Sequence, residues 1–136
     1  MLDYGCGKAY KYTKKKYHVF MGIDDLYLYD PYVDEYSTLI DRPVDIVVCT
    51  DVLEHIPEED IDDTLKTIFS KARKAVFLSI SCKLASKVFS DGTNAHVTVK
   101  PPSWWDERIN KVQMHSRAIV KINYTSYEKF TNTQEN

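Results

Sequence analysis

The sequence predicts an α/β fold with a mostly parallel, twisted sheet and helices on both faces. Short apolar segments that suit strands alternate along the chain with longer segments whose apolar residues recur at helical spacing. The segment Ile46–Cys49 contains no polar residue, which is typical of a strand buried on both faces of a parallel sheet. Ligands bind beyond the carboxyl ends of the strands in such sheets, so we expect the functional residues there.

The N-terminal part of the chain predicts two short strands with a short helix between them. The chain opens with the end of an apolar strand, which breaks into a turn at Gly5 and Gly7. The segment Lys8–His18 is rich in lysine and tyrosine and suits a short helix. Leu26–Tyr29 predicts the second strand. It ends at the Asp30-Pro pair, because proline cannot donate to a sheet ladder.

The central part contains the clearest helix signal. A buried strand is predicted over Asp45–Thr50, and a helix is predicted to begin near Pro57, which suits a first helical turn and precedes three acidic residues. We expect this helix to end among the basic residues Lys71, Arg73 and Lys74. Its apolar stripe is predicted to consist of Ile61, Leu65, Ile68, Phe69 and Ala72.

The C-terminal part predicts a strand, a loop, a helix and a final strand. The strand is expected over Ala75–Ile80, and a polar loop follows at Lys87–Asn94. Ser103 is expected to cap the second helix. The last strand, Ala118–Tyr124, alternates apolar and polar residues. We assign residues 1–124 to one domain and residues 125–136 to a polar tail.

Composition and charge restrict the classes of partner. The formal net charge of −2 gives no general attraction for nucleic acid or for an anionic membrane. The lysines of Lys8–His18 are interpreted as a solvated surface in preference to a phosphate contact, so nucleic acid is not an expected partner. No apolar run approaches the ~20 residues of a membrane span, and the chain begins without the pattern of a signal peptide. We therefore expect a soluble protein.

The cysteines give no metal or disulfide signal. Cys6, Cys49 and Cys82 are widely spaced and form no C-x-x-C pair. We expect three reduced cysteines in a cytoplasmic protein and predict no metal site.

Three predicted strands end in residues that suit nucleoside binding. The first strand runs into the segment Asp3–Gly7, whose glycines allow the backbone to approach a ligand closely. The second ends at Asp30, an acid placed to accept hydrogen bonds from ribose hydroxyls. The third gives way to the polar segment Thr50–Pro57, just before the predicted helix. Each signal is weak alone, and the three together are specific.

This combination resembles the class I S-adenosylmethionine-dependent methyltransferases, particularly the small-molecule type in which an x-D-V-L-E-H-I/V-P segment follows the fourth strand. Here Thr50–Pro57 reads TDVLEHIP. The resemblance covers about residues 1–105. The segments Tyr29–Tyr32 and Asn94–Trp105 are similar to those of compact methyltransferases from bacteria and their phages. It implies a Rossmann-like class I methyltransferase fold, S-adenosylmethionine as cofactor and an unidentified small-molecule acceptor.

The resemblance also implies which residues bind the cofactor. Asp30, followed by Pro31, would hold the ribose hydroxyls. Thr50, Asp51 and Val52 would meet the ammonium and sulfonium side. The loop around the methionine part would consist of Asp3, Tyr4, Gly5, Cys6 and Gly7.

On the acceptor side, the candidate catalytic residues are His55 and His96. A neutral imidazole with an ordinary pKa of ~6.5 is able to take a proton from a hydroxyl or ammonium acceptor. The alternative interpretation gives His55 a packing role at the helix start and His96 a structural role. The resemblance places Glu54, Lys100 and Trp104 at the border of the acceptor pocket.

The sequence also departs from the family pattern. Ala9 replaces the third glycine of the first loop, and Met1 stands just before a strand that the family precedes with helices. The chain between Asp30 and Asp45 is too short for the usual helix, strand and adenine loop. We therefore expect a fold shortened at its N-terminus, with a homodimer or a partner subunit as compensation. The alternative function is a non-catalytic, cofactor-binding or regulatory subunit.

Overall fold

The computed structural model describes residues 1–125, which form an α/β fold around one five-stranded, all-parallel sheet. The strand order is β2-β1-β3-β4-β5. The strands are β1 (Leu2–Tyr4), β2 (Tyr27–Tyr29), β3 (Val44–Thr50), β4 (Ala72–Ser81) and β5 (Ile119–Thr125). The predicted α/β class and parallel sheet are confirmed, and the topology is compatible with a Rossmann-like arrangement. Apart from Thr125, the predicted C-terminal tail lies outside the described residues.

α-Helices lie in three of the four connections between successive strands, and the connection between β2 and β3 has only a 3-10 turn. Two single-turn helices lie between β1 and β2, a longer helix lies between β3 and β4, and another lies between β4 and β5. Short 3-10 turns occur at Asp34–Tyr36, Leu53–His55 and Glu58–Asp60. The helices are α1 (Tyr10–Thr13), α2 (Tyr17–Phe20), α3 (Ile61–Ser70) and α4 (Pro102–Gln113).

The end of α3 differs from the prediction. The helix stops at Ser70, and Arg73 and Lys74 already belong to β4. Their side chains pair with Asp45 on β3 at 3.1 and 2.7 Å. The basic residues therefore form a cross-strand charge cluster, because β4 begins at Ala72 to pair with β3.

The start of α4 also differs. Pro101 occupies the N-cap position, and no side chain caps the helix, so the prediction that Ser103 caps it is wrong. Pro102 is the first helical residue, where its missing N–H costs nothing and its fixed φ suits the helix. Ser103 lies inside the first turn instead.

The core lies between one face of the sheet and helices α3 and α4. Alternation along β3 and β4 places one set of apolar side chains on this face. The helical spacing of the predicted stripe places the facing set on α3. The members with no more than 1% exposure include Val47, Val76, Leu78, Leu65, Ile68, Trp105 and Ile109. This packing fixes the start of α3 beside the end of β3.

The direction of the chain across the sheet reverses between β1 and β3. These neighbours pair Leu2 with Val47 and Asp3 with Val48. From β1 the chain continues outward to β2, whereas from β3 it continues to β4 and β5 on the other side. In open parallel sheets the crevice at such a reversal is where ligands bind. The turns after β1 and β3 lie at this point.

Candidate functional site

A cavity of about 640 Å³ opens at the carboxyl ends of β1, β2 and β3. Its size lies within the range of roughly 300–1,000 Å³ that is usual for small-molecule sites. The turns after the three strands form one wall, and the start of α3 forms another. Seven of the predicted cofactor residues line it, namely Tyr4, Gly5, Gly7, Asp30, Pro31, Asp51 and Val52.

Three predicted cofactor residues do not line the cavity. Asp3 is 2% exposed and contacts Tyr12 of α1, and burial raises the pKa of its carboxyl. Burial, with Asp3 and Asp30 nearby, raises the pKa of the Cys6 thiol to about 12, so this thiol is protonated at neutral pH. The Thr50 hydroxyl accepts a hydrogen bond from Lys11 Nζ at 3.0 Å.

Gly5 is required by the protein's own packing. Its φ is +86°, and a Cβ atom there would lie 2.3 Å from Cγ2 of Val52. Its N–H and that of Cys6 both donate to the carbonyl of Tyr29, at 2.7 and 3.0 Å. The sequence predicts that a ligand approaches this glycine, whereas in the structure the Val52 side chain makes the close approach.

Asp30 holds the turn after β1 as well as its own. Its Oδ2 accepts from the N–H of Gly7 at 2.8 Å, and its Oδ1 accepts from the N–H of Tyr32 at 3.0 Å. A carboxylate oxygen has two lone pairs, so each oxygen retains capacity for a further hydrogen bond. Asp30, the residue predicted to bind the ribose, therefore also ties the turn after β2 to the turn after β1.

Asp51 adopts an uncommon backbone conformation at the edge of the cavity. Its φ is +57°, in the left-handed region that costs most residues about 1–2 kcal/mol. Its N–H donates to the carbonyl of Ser79 at 2.9 Å, which holds the turn in place. Strained residues of this kind cluster at functional sites.

The charged side chains of the cavity are acidic. Four carboxylates line it: Asp30 and Asp51 from the strand ends, Asp60 from the turn before α3, and Asp63 from α3. Within the described residues, no lysine or arginine lines it. The cavity is therefore suited to ligands with positive charge or hydroxyl donors and unsuited to phosphates.

The contribution of α3 and of the turn before it to the cavity lining was not predicted from the sequence. Asp60, Asp63, Thr64 and Thr67 line the cavity with the exposed Tyr32. They recur at three- and four-residue steps on the face of α3 opposite its buried stripe. This periodic spacing of polar residues is the sequence signal that could have predicted that this face of α3 lines the cavity.

A buried polar cluster lies behind the wall formed by His55. Glu54 has no exposed surface, its Oε1 accepts from the N–H of Ser81 at 3.0 Å, and its Oε2 has no hydrogen-bond partner among the described residues. Burial raises the pKa of this carboxyl. The rings of His55 and His96 meet edge to face with centroids 4.7 Å apart. The predicted catalytic pair is thus brought together, although only His55 lines the cavity.

The loop that carries His96 is fixed to the turn that carries Glu54. Thr98 is buried and makes two hydrogen bonds to this turn. Its N–H donates to the carbonyl of Glu54 at 3.1 Å, and its hydroxyl donates to the carbonyl of Ile56 at 2.7 Å. His55 Nδ1 contacts the carbonyl of Ala95 at 2.7 Å. These contacts hold residues 95–98, the return limb of this loop, against the turn after β3.

Lys100 and Trp104, predicted to border the acceptor, do not line the cavity. Lys100 Nζ lies 2.7 Å from Oε2 of Glu58, and the Arg108 guanidinium lies 4.0 Å from the centre of the Trp104 ring. The ion pair joins the segment before α4 to the turn before α3, and the Arg108–Trp104 contact lies within α4. Their acceptor-side role stays a prediction.

The comparisons with known proteins give no match among family models, curated proteins or solved structures. None of the helices in the described part of the chain has the length and apolar character needed to cross a membrane.

Proposed function

We propose that this cavity binds S-adenosylmethionine and that the protein transfers its methyl group to a small-molecule acceptor. The observation that carries the proposal is a crevice at the reversal of the sheet, lined by four carboxylates and by no lysine or arginine of residues 1–125. S-adenosylmethionine has a sulfonium, an ammonium and two ribose hydroxyls, which suit such a lining. A dinucleotide would place its pyrophosphate against the same carboxylates, which disfavours that class of ligand.

The residues at the strand ends have distinct roles in this proposal. The Asp30 carboxylate accepts hydrogen bonds from the ribose hydroxyls. It uses the lone pairs that remain free after its hydrogen bonds with the N–H groups of Gly7 and Tyr32. Asp51 lies on the sulfonium and ammonium side. In this proposal the parallel sheet is a shortened form of the Rossmann-like class I methyltransferase fold that the sequence resembles, with the shortest connection between β2 and β3.

For methyl transfer the protein needs to align the cofactor with the acceptor and to remove a proton from the acceptor. When bound, the cofactor supplies a methyl group already activated by its sulfonium. The cavity walls hold the acceptor in line and exclude water. His55, the predicted base, lines the cavity. Its Nδ1 carries the proton, because it contacts the carbonyl oxygen of Ala95, which only accepts hydrogen bonds. Its Nε2 therefore has the free lone pair. That nitrogen is able to take a proton from the acceptor.

Calorimetry on the full chain tests the proposal. We expect S-adenosylmethionine and S-adenosylhomocysteine to bind and NAD to give no heat. Asp30→Ala should weaken binding at least tenfold, whereas Asp24→Ala, which alters an exposed residue outside the cavity lining, should leave it unchanged. No heat with S-adenosylmethionine at millimolar concentration would overturn the proposal.

A second candidate function is a cofactor-binding subunit that acts with a partner. It is favoured by consecutive apolar side chains at the end of α2, where Val19, Phe20 and Met21 are 64%, 85% and 55% exposed. Exposed apolar patches of this kind mark interaction surfaces. Turnover of methyl-labelled cofactor by the isolated chain would exclude a purely non-catalytic role. Light scattering of the Phe20→Ser variant, compared with the unaltered chain, tests the association itself.

A further inference from the structure

The cluster of Glu54, His55 and His96 has the composition of a metal site. One potential ligand atom from each side chain lies within 4.8 Å of those from the other two. Glu54 and His55 come from the turn after β3, and His96 comes from the loop between β4 and α4. The fold brings these groups together from distant parts of the sequence.

The histidines are oriented as metal ligands usually are. His55 Nδ1 lies 2.7 Å from the carbonyl of Ala95, and His96 Nδ1 lies 2.6 Å from the carbonyl of Lys83. A carbonyl oxygen only accepts hydrogen bonds, so both Nδ1 atoms carry the proton and both Nε2 atoms carry a lone pair. Metal-binding histidines commonly donate their second N–H to a backbone carbonyl in this way.

Glu54 provides an independent indication of a ligand. The side chain is fully buried, one oxygen is bound by the N–H of Ser81, and Oε2 has no partner within residues 1–125. Leaving a buried polar atom without a partner costs free energy, and such atoms are rare in folded proteins. A cation beside Oε2 would remove this cost.

We propose that Glu54, His55 and His96 bind a divalent transition-metal ion through one carboxylate oxygen and the two Nε2 atoms. Two imidazoles and a carboxylate suit zinc and its neighbours better than magnesium or calcium, which prefer all-oxygen ligands. The potential ligand atoms lie within 4.8 Å of one another, whereas ligands of a tetrahedral zinc ion lie roughly 3.3 Å apart, so the three side chains must move closer together when the ion binds. Three protein ligands leave a coordination position open.

Metal binding itself does not depend on the proposed methyl transfer, but its use in catalysis does. His55 belongs both to this cluster and to the cavity lining. An ion held there would therefore lie beside the acceptor and could bind an acceptor hydroxyl. It would lower the pKa of that hydroxyl, so that the proton passes to a water molecule as the hydroxyl binds the ion, and His55, then a ligand, would not serve as the base.

Cobalt is the probe for the first test. The full chain, without a polyhistidine tag and after treatment with chelator, is titrated with Co²⁺, and visible absorption is followed. We expect a saturable band with one ion per chain, displaced by Zn²⁺. The apparent Kd should rise at least about 100-fold in His96→Ala and in Glu54→Gln, since even loss of an outer partner costs about 10- to 100-fold. His115→Ala is the matched control, because His115 is an exposed histidine outside the cluster.

The outcomes separate the two proposals. Absence of the band in the unaltered chain would overturn the metal site, as would equal weakening in the His115→Ala control. Circular dichroism establishes that each variant folds. If a variant fails to fold, ring nitrogen chemical shifts of the unaltered chain still decide, because Zn²⁺ should shift the Nε2 signals of His55 and His96 and leave those of His115 in place. Calorimetry with S-adenosylmethionine is run separately, so either proposal is able to fail alone.

Discussion

The N–H of Gly7 donates a 2.8 Å hydrogen bond to Oδ2 of Asp30, which joins the turn after β1 to the end of β2. The second oxygen of the same carboxylate is bound by the N–H of Tyr32. One side chain thereby fixes both turns on this side of the crevice. Its replacement should affect the cavity even before any ligand is added.

The first prediction concerns this tie. Asp30→Ala should lower the free energy of unfolding by about 1.5–3 kcal/mol, because two backbone N–H groups lose a charged acceptor. Urea denaturation without ligand measures the change. Asp24→Ala, at an exposed site, should stay within about 0.5 kcal/mol. Equal stability of the two variants would show that the turns do not need the Asp30 carboxylate.

Gly5 gives the second prediction. Gly5→Ala should destabilise the protein by about 1–3 kcal/mol, because it combines a positive φ with overlap against the Val52 side chain. Gly7→Ala shares the positive φ and has open space beside it, so only the backbone cost should appear.

A double-mutant cycle separates the two causes. Val52→Ala removes both Cγ atoms that the new methyl group would meet, so it should recover part of the stability lost in Gly5→Ala. Additive effects of the two substitutions would contradict the packing explanation.

The third prediction concerns the core under α3. Leu65→Ala should cost about 2–5 kcal/mol, since Leu65 is fully buried between α3 and the sheet. Lys66→Ala, one position along and exposed, should change stability by less than about 0.5 kcal/mol. Thermal unfolding followed by circular dichroism compares them, and similar midpoints would argue against the described packing of α3.

The fourth prediction is a dependence on pH. Burial raises the pKa of Asp3 above its ordinary 3.8, so the folded state binds this proton more tightly than the unfolded state. The contribution of Asp3 is therefore most favourable below the ordinary pKa, and stability is lost as pH rises from 3.8 through the raised value. Asp3→Asn should remove this loss and be more stable at pH 7.

The measurement is the difference between Asp3→Asn and the unaltered chain across a series of urea denaturations from low to neutral pH. The difference cancels the contributions of the other carboxylates. Asp24→Asn, at an exposed carboxyl, serves as the control for the loss of one negative charge. A difference that did not grow with pH would contradict the assignment of a raised pKa to Asp3.

The strands were predictable from sequence because burial leaves a direct trace in residue type. The position of the crevice was predictable from the amino-acid sequence. The signals were the apolar run of β3 and the acidic residues that follow β2 and β3. Parallel strands end at the same edge, so these residues had to meet. The apolar stripe of α3 was predicted correctly as far as Ile68 and Phe69. Its last predicted member, Ala72, is instead the first residue of β4.

The remaining features depend on contacts that no local pattern encodes. A positive φ at Gly5 was foreseeable, but the side chain that approaches it, Val52, is set by the pairing of β1 with β3. The meeting of His55 with His96 depends on how an irregular loop folds back, and that loop has neither helical nor strand periodicity. Tertiary packing alone fixes both.

Thr98 divides the loop between β4 and α4 into two parts with different tolerance to change. Its bonds to the carbonyls of Glu54 and Ile56 anchor the return limb, whereas the tip around Asp91 and Gly92 is exposed. Additional residues are accommodated best at exposed loop tips. A fluorophore or a short affinity peptide placed at this tip would therefore report on the protein without disturbing the crevice.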